Sequence, residues 1–206
     1  MAVDSLRVGR DITADDRRTA VLRAALTCIA AQGADNVRLK DVSREAGVSV
    51  GALQHYFESR DELVALAFRQ ASEDLLTGWR DALADHPDPW QRLVVLVSHL
   101  VDRDALRDRC LVWIEFATAA ARHPEVRDGF IAVYERWAEI VSTAVHDGVE
   151  EGVFRPLLDP TLAVELILEQ IDGAMLSVAS NMERVDREGL RSSILTLAST
   201  LLGHRG

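Results

Sequence analysis

From Thr13 onward, apolar residues recur at spacings of three and four, and no convincing run alternates with period two. That spacing stacks apolar side chains on one face of a helix, whereas a half-buried strand needs strict alternation. The chain is therefore read as all-α. Breakers divide the pattern into about nine helices: Thr13–Gln32, Leu39–Ala46, Val50–Tyr56, Arg60–Ala84, Trp90–Val101, Asp104–Arg122, Pro124–Glu151, Pro160–Asn181 and Asp186–Leu202. Thr13 is a suitable N-cap for the first helix, Gly33 suits a left-handed position at its end, and Ser59 can cap the fourth.

Composition supports a packed globular chain. Of 206 residues, 48% are hydrophobic and 27% charged, which excludes disorder and fibrous repeats. No stretch approaches the roughly 18 apolar residues of a membrane span, and the N-terminus has no basic-then-apolar signal pattern. Cys28 and Cys110 lie in apolar helical patterns without a Cys-x-x-Cys or Cys/His cluster, so a reduced, cytoplasmic location is expected, with no metal site.

The formal net charge of −10 argues at first against nucleic acid as partner. Its distribution reverses that reading. Residues 1–60 carry nine basic and eight acidic side chains, while residues 61–206 carry 14 and 25. A near-neutral head is joined to a strongly acidic body, and such asymmetry suggests two functional parts. The expected division is a tail over 1–12, a DNA-binding domain over 13–60, and an effector-binding and dimerisation domain over 61–206.

The informative stretch is LKDVSREAGVSVGALQHYFESRDEL, residues 39–63. Two short amphipathic helices flank Gly47-Val48-Ser49, the arrangement of a helix-turn-helix. In that geometry the second helix enters the major groove and the first crosses the phosphate backbone. Ser49, Gly51 and Ala52 are small enough to let the second helix approach base edges. Residues Ala46-Gly47-Val48-Ser49, Gly51, Leu53, Tyr56-Phe57, Ser59 and Leu63 together resemble the signature of the TetR (tetracycline-repressor-type) transcriptional regulators. The resemblance extends over about residues 13–66, and the length and helix order also fit.

The resemblance implies DNA contacts from Arg38, Lys40, Ser49, Val50, Ala52, Gln54, His55, Tyr56 and Arg60. Gln54 stands where the family commonly has tyrosine; it can pair with adenine N6/N7, or bind phosphate or water. Arg38 replaces a capping threonine, leaving the cap weaker or supplied by Asn36, and offers phosphate a charge. Arg60 replaces a lysine and keeps its positive charge for phosphate. Arg44 is either a phosphate neighbour or an ion-pair partner. Tyr56 donates to phosphate or packs on the fourth helix, with Leu53 and Phe57 in the small core. Arg7 and Arg10 belong to a DNA-touching arm or a plain tail.

One recognition helix makes few contacts, so a homodimer on a palindromic operator is expected. The helix from Pro160 carries more apolar residues than one stripe requires, those of the last helix recur at helical spacing, and the resemblance implies that both form an intersubunit bundle, with Leu168, Leu176, Leu190, Ile194, Leu197 and Leu201 as candidates. The resemblance also implies a small-molecule effector, largely apolar, in the body. Trp79, Trp113, Glu115, Phe116, Phe130, Tyr134, Trp137 and Met175 are candidates for lining its site, or are plain core. Glu115, between Trp113 and Phe116, either meets a cationic ligand or is exposed or paired with arginine. The stretch Trp113–Pro124 is similar to repressors of betaine and amine pathways.

The function expected is a ligand-released repressor without a cofactor; an activator or a protein-responsive regulator on the same fold is the alternative. Enzymatic readings lack support in the residues. None of the six histidines follows a glutamate by three residues, and no P-loop, Gly-x-Ser-x-Gly elbow or Cys/His nucleophile pattern occurs.

Overall fold

The computed structural model describes residues 14–83, 86–102, 104–182 and 186–204. Among these, nine α-helices occur: α1 (Ala14–Gln32), α2 (Leu39–Ala46), α3 (Val50–Tyr56), α4 (Arg60–Leu83), α5 (Pro89–Asp102), α6 (Leu106–Arg122), α7 (Pro124–Glu150), α8 (Pro160–Ala179) and α9 (Arg187–Leu202). A single 3-10 turn, Ala34–Asn36, joins α1 to α2. The periodicity argument thus located every helix, whereas the turn was not foreseen. Thr13, Arg7 and Arg10 lie outside the described residues.

Short polar side chains start several helices, because the first backbone N–H groups have no partner inside the helix. Ser59 Oγ accepts from Glu62 N at 3.0 Å. Asp88 accepts from Gln91 N, Asp159 from Thr161 N and Asp186 from Gly189 N, at 2.7–2.9 Å. Two expectations, one at the end of α1 and one at the start of α2, are corrected. Gly33 has φ 81° and ψ 149°, positive but extended rather than left-handed helical. Asn36 does not cap α2: its side chain donates to Gln32 O at 2.8 Å, and no side chain caps that helix.

α1, α2 and α3 form a small head. α1 packs on α2, on α4 and on α6. Leu22, Ala25 and Ile29 of α1 are buried, as are Val42, Leu53 and Phe57 of the helix-turn-helix. α4 supplies Leu63, Val64, Ala67 and Phe68 to this core, then continues as Leu76 and Trp79 into the body. The expected boundary after residue 60 is therefore the start of a shared helix rather than a break in packing.

In the body, α6 packs on α7 and α8, α5 on α9 and α7, and α8 on α9. The inward stripe of α9 is Leu190, Ile194, Ala198 and Leu202, all buried within the chain. Each such leucine or isoleucine contributes about 1.5–3 kcal/mol by leaving water. This corrects three of the dimer candidates. Leu168, Leu190 and Ile194 are at most 6% exposed in a single chain and have no surface to offer a partner. Leu176 is 50% exposed, and Leu197 and Leu201 are intermediate. Periodicity marked these helices as rich in apolar residues but could not say which of those residues faced inward.

Candidate functional site

The head is built around the turn between α2 and α3. Gly47 adopts the left-handed conformation (φ 65°, ψ 29°), closing α2 through Gly47 N→Arg44 O and Val48 N→Ser43 O bonds. Ser43 Oγ donates to Val48 O at 2.5 Å, and Val48 packs against the core, which fixes the angle between the two helices. Ser49 caps α3 by accepting from Ala52 N at 3.1 Å. With Leu53 and Phe57 turned inward, α3 presents Val50, Gln54 and His55 to solvent, with Ala52 and Tyr56 half-buried beside them. Val50 and Gln54 are four residues apart and share one face. The His55 ring meets Tyr56 edge-on at 5.5 Å.

Gly51 is instructive. Glycine inside a helix costs about 1 kcal/mol relative to alanine, yet a Cβ at Gly51 would meet only Ser49 Oγ, at 4.0 Å. The chain's own packing does not require glycine there.

Arg38 and Lys40 are exposed at the start of α2. Arg44 is 78% exposed and pairs with Asp41 at 3.2 Å. Arg60 is placed differently from the expectation of a free cation at the DNA. Its Nε donates to Val37 O at 3.1 Å, one Nη donates to Ala34 O, and the other pairs with Asp61 at 2.6 Å. Its guanidinium is committed to the link between α1 and α2.

A second site lies in the body. A cavity of about 290 Å³ opens between α1, α4, α6, α7 and α8. Of the aromatic and methionine candidates, Trp113, Phe116, Trp137 and Met175 line it, together with Phe68. Leu26, Thr27 and Ala30 of α1 also line it, so the cavity borders the head directly. Asp74, Asp108 and Arg109 are its charged lining residues; Arg109 Nη2 donates to Leu100 O at 2.7 Å. Cys110 is also in the wall, and burial pushes its thiol up to about 11, so it is no nucleophile at neutral pH.

The remaining candidates stand behind this wall. Trp113 stacks on Trp137 (4.4 Å between ring centres) and on Phe130 (4.9 Å), Phe116 stacks on Phe68 (4.6 Å), and Trp79 leans on Trp137 (5.4 Å). The indole N–H groups of Trp79 and Trp137 are buried without a hydrogen-bond partner. Tyr134 and Trp113 both donate to a residue that the sequence reading missed, Asp172, the latter at 2.9 Å. Burial raises the Asp172 carboxyl above its ordinary 3.8 despite those two donors, and burial likewise raises Tyr134. The signal was present: a lone aspartate among the apolar residues of α8 needs a partner.

Glu115 is not among the rings at all. Its side chain leaves α6 toward the head, where Oε2 accepts from Ala34 N at 2.8 Å. That corrects both its candidacy as an effector ligand and the alternative of an exposed or arginine-paired state.

An exposed helix on a small helix-turn-helix head, joined to a larger helical body with a cavity, is the architecture of a helix-turn-helix regulator. Comparison with known proteins agrees. Residues 21–67 match the model for bacterial regulatory proteins of the tetR family, and residues 89–203 match the C-terminal domain of BetI-type transcriptional repressors. The chain belongs to the TetR family of transcriptional regulators and is a DNA-binding regulator. It is 24% identical to the HTH-type transcriptional regulator PksA of Bacillus subtilis over 188 residues, covering 90% of each chain. It is 32% identical to the regulator BetI of Agrobacterium fabrum over 121 residues, 58% of each. Among solved structures, a putative transcriptional regulator from Saccharomonospora viridis in complex with choline superposes with a TM-score of 0.80 at 26% identity, over 87% of this chain and 94% of that one. None of the described helices is long and apolar enough to cross a membrane.

Proposed function

We propose that the chain is a repressor that binds a palindromic operator as a homodimer and releases it when a small organic cation fills the cavity between head and body. The cavity carries the reading. Four rings (Phe68, Trp113, Phe116 and Trp137) contribute to its wall, and the charged residues at its lining are two aspartates, Asp74 and Asp108, against one arginine, Arg109. Rings attract a quaternary ammonium group through their negative faces, and carboxylates add charge complementarity. A volume of about 290 Å³ suits a small ligand with an apolar body. The solved relative that holds choline supports the same chemistry. Because α1 forms part of the wall, an occupant that fits one head position better than another shifts the protein between them.

DNA contact is assigned to Arg38, Lys40, Ser49, Val50, Ala52, Gln54, His55 and Tyr56, with Arg60 in a supporting position. Dimerisation is assigned to the outer faces of α8 and α9. Leu162 and Leu176 are 42% and 50% exposed on α8, and Leu197 and Leu201 sit on α9. Between the two α8 leucines, Gly173 has open space where a Cβ would stand, which favours close approach of a second helix.

The test begins with selection of an operator from random DNA, followed by titration of the complex with choline chloride and with 3,3-dimethylbutanol, its uncharged counterpart. Choline should perturb the fluorescence of Trp113 and Trp137 and weaken operator binding, and the alcohol should do neither at equal concentration. Equal responses to both compounds would refute a cationic effector. Saturation of the cavity with no change in operator affinity would refute release.

A further inference from the structure

We propose that Glu115 is a positioning residue for DNA recognition: it fastens the head to the body, so that α6 sets where each recognition helix stands. This rests on the dimeric operator reading above, because head position matters only when two heads must meet two half-sites.

The contact is made at one backbone residue. α1 ends at Gly33, whose positive φ lets the chain turn away from the helix axis. A Cβ at Gly33 would stand 3.4 Å and 3.5 Å from the two carboxylate oxygens of Glu115, so that carboxylate lies flat against the turn. Ala34, 3% exposed, then gives its N–H to Glu115 Oε2 at 2.8 Å, while its carbonyl accepts from the Arg60 guanidinium. One buried peptide residue is thus held from α6 on its amide side and from the start of α4 on its carbonyl side. A second tie runs beside it: Asp35 meets Arg122 at 3.1 Å and His123 at 3.5 Å, at the end of α6. That tie is exposed and contributes little by itself. The Glu115 bond is half-buried, is made to a charged acceptor, and joins residues 81 positions apart in the chain.

Its position on α6 gives the bond a consequence beyond stability. Val112, Trp113 and Phe116, the neighbours of Glu115 on the same helix, line the cavity. Any shift of α6 that accommodates a ligand moves the Glu115 carboxylate, and the carboxylate holds the head. α4 and the packing of α1 on α6 already join head to body; the Glu115 bond adds a directional hold at one defined backbone atom of the head.

Half-site spacing reads this directly. Using the operator selected by the wild-type chain, the two half-sites are moved together or apart one base pair at a time, and affinity is measured for wild type, E115A and E115Q. Losing a hydrogen bond to a charged group shifts an equilibrium by roughly tenfold or more. E115A should therefore flatten the preference for the optimal spacing by at least about threefold, with binding to an isolated half-site unchanged. E115Q retains an oxygen that accepts from Ala34 N and should restore the sharp preference. Hydrogen exchange at the Ala34 amide should accelerate in E115A and stay slow in E115Q. If E115A fails to fold, E115D takes its place, since it keeps the charge but is one methylene too short. A spacing profile as sharp in E115A or E115D as in wild type overturns the proposal. Failure of the wild type itself to prefer any spacing overturns instead the dimeric reading.

Discussion

Arg60 allows a clean decision between contact with DNA and support of the head. Its guanidinium donates to Val37 O and to Ala34 O, with the side chain 30% exposed. Hydrogen bonds involving a charged group contribute about 1.5–3 kcal/mol each. Partial exposure reduces that, so about 2 kcal/mol for the two is a reasonable figure. The Asp61 pair adds little, because that carboxylate is 71% exposed. Replacement by glutamine should therefore lower the melting temperature by about 4–8 °C for a chain of this size. Lysine should do much the same, because an ammonium cannot span two carbonyls as a planar fork does. Were Arg60 instead a phosphate ligand, each copy would contribute about 0.9 to the slope of log affinity against log salt, or about 1.8 for a dimer. The measurements are thermal unfolding and operator affinity across a salt series, for wild type, R60Q and R60K. The expected result is reduced stability in both variants with the salt slope unchanged. A slope lower by about 1.8 in R60Q, at an unaltered melting temperature, would refute the supporting role.

Two further outcomes follow from the body. Asp172 has its folded pKa raised by burial, so the folded state holds its proton more tightly than the unfolded state does. Its contribution is most favourable below the ordinary 3.8 and is lost as pH rises through the elevated value. Urea unfolding of wild type and D172N across the acid range should show the difference in stability moving against wild type as pH rises; a flat difference would contradict the assignment. In α7, a Cβ at Gly148 would overlap the Phe154 ring, whereas one at Gly129 meets nothing within 4 Å. G148A should destabilise by about 1–3 kcal/mol through overpacking, and G129A should stabilise by about 0.4–1 kcal/mol, both read from denaturant midpoints.

What could be read in the sequence was what neighbours in the chain determine. The turn at Gly47-Val48-Ser49 needs a left-handed residue, a plug and a cap in succession, and those three residues announce it. Ser59 announced a helix start for the same reason. Leu190 and Ile194 were misjudged because α9 is apolar on two sides, and periodicity alone does not distinguish a stripe facing α5 and α8 from one facing a second chain. Glu115 was misplaced because its partner is a backbone amide, which has no side-chain signature, on a turn 81 residues away. Gly33 was misjudged with it, since the conformation of that glycine accompanies the route of the chain past the carboxylate. Asp172 belongs to a middle category: its need for donors was legible, although the identity of Trp113 and Tyr134 as those donors depends on how α6 and α7 cross α8.

The placement of the basic side chains sharpens the charge argument. Of the nine in residues 1–60, Arg60 is committed to backbone carbonyls, and Arg18 lies over the Phe57 ring at 5.5 Å. Arg44 is held near Asp41, although at 78% exposure it is free to exchange that partner for a phosphate. Exposed Arg38 and Lys40 flank the start of α2, on the helix that crosses the backbone. A near-neutral head, attached to an acidic body, gains modestly from counterion release, which dominates non-specific binding to DNA. Its affinity must come from short-range contacts by α3, and from making those contacts twice. Two heads on one duplex gain only if their separation matches that of the half-sites, since a mismatch forfeits the second head's contribution. For the proposed dimer, head placement is then the quantity on which operator recognition depends, and Ala34, held by Glu115 of α6 and Arg60 of α4, is one of the points that set it.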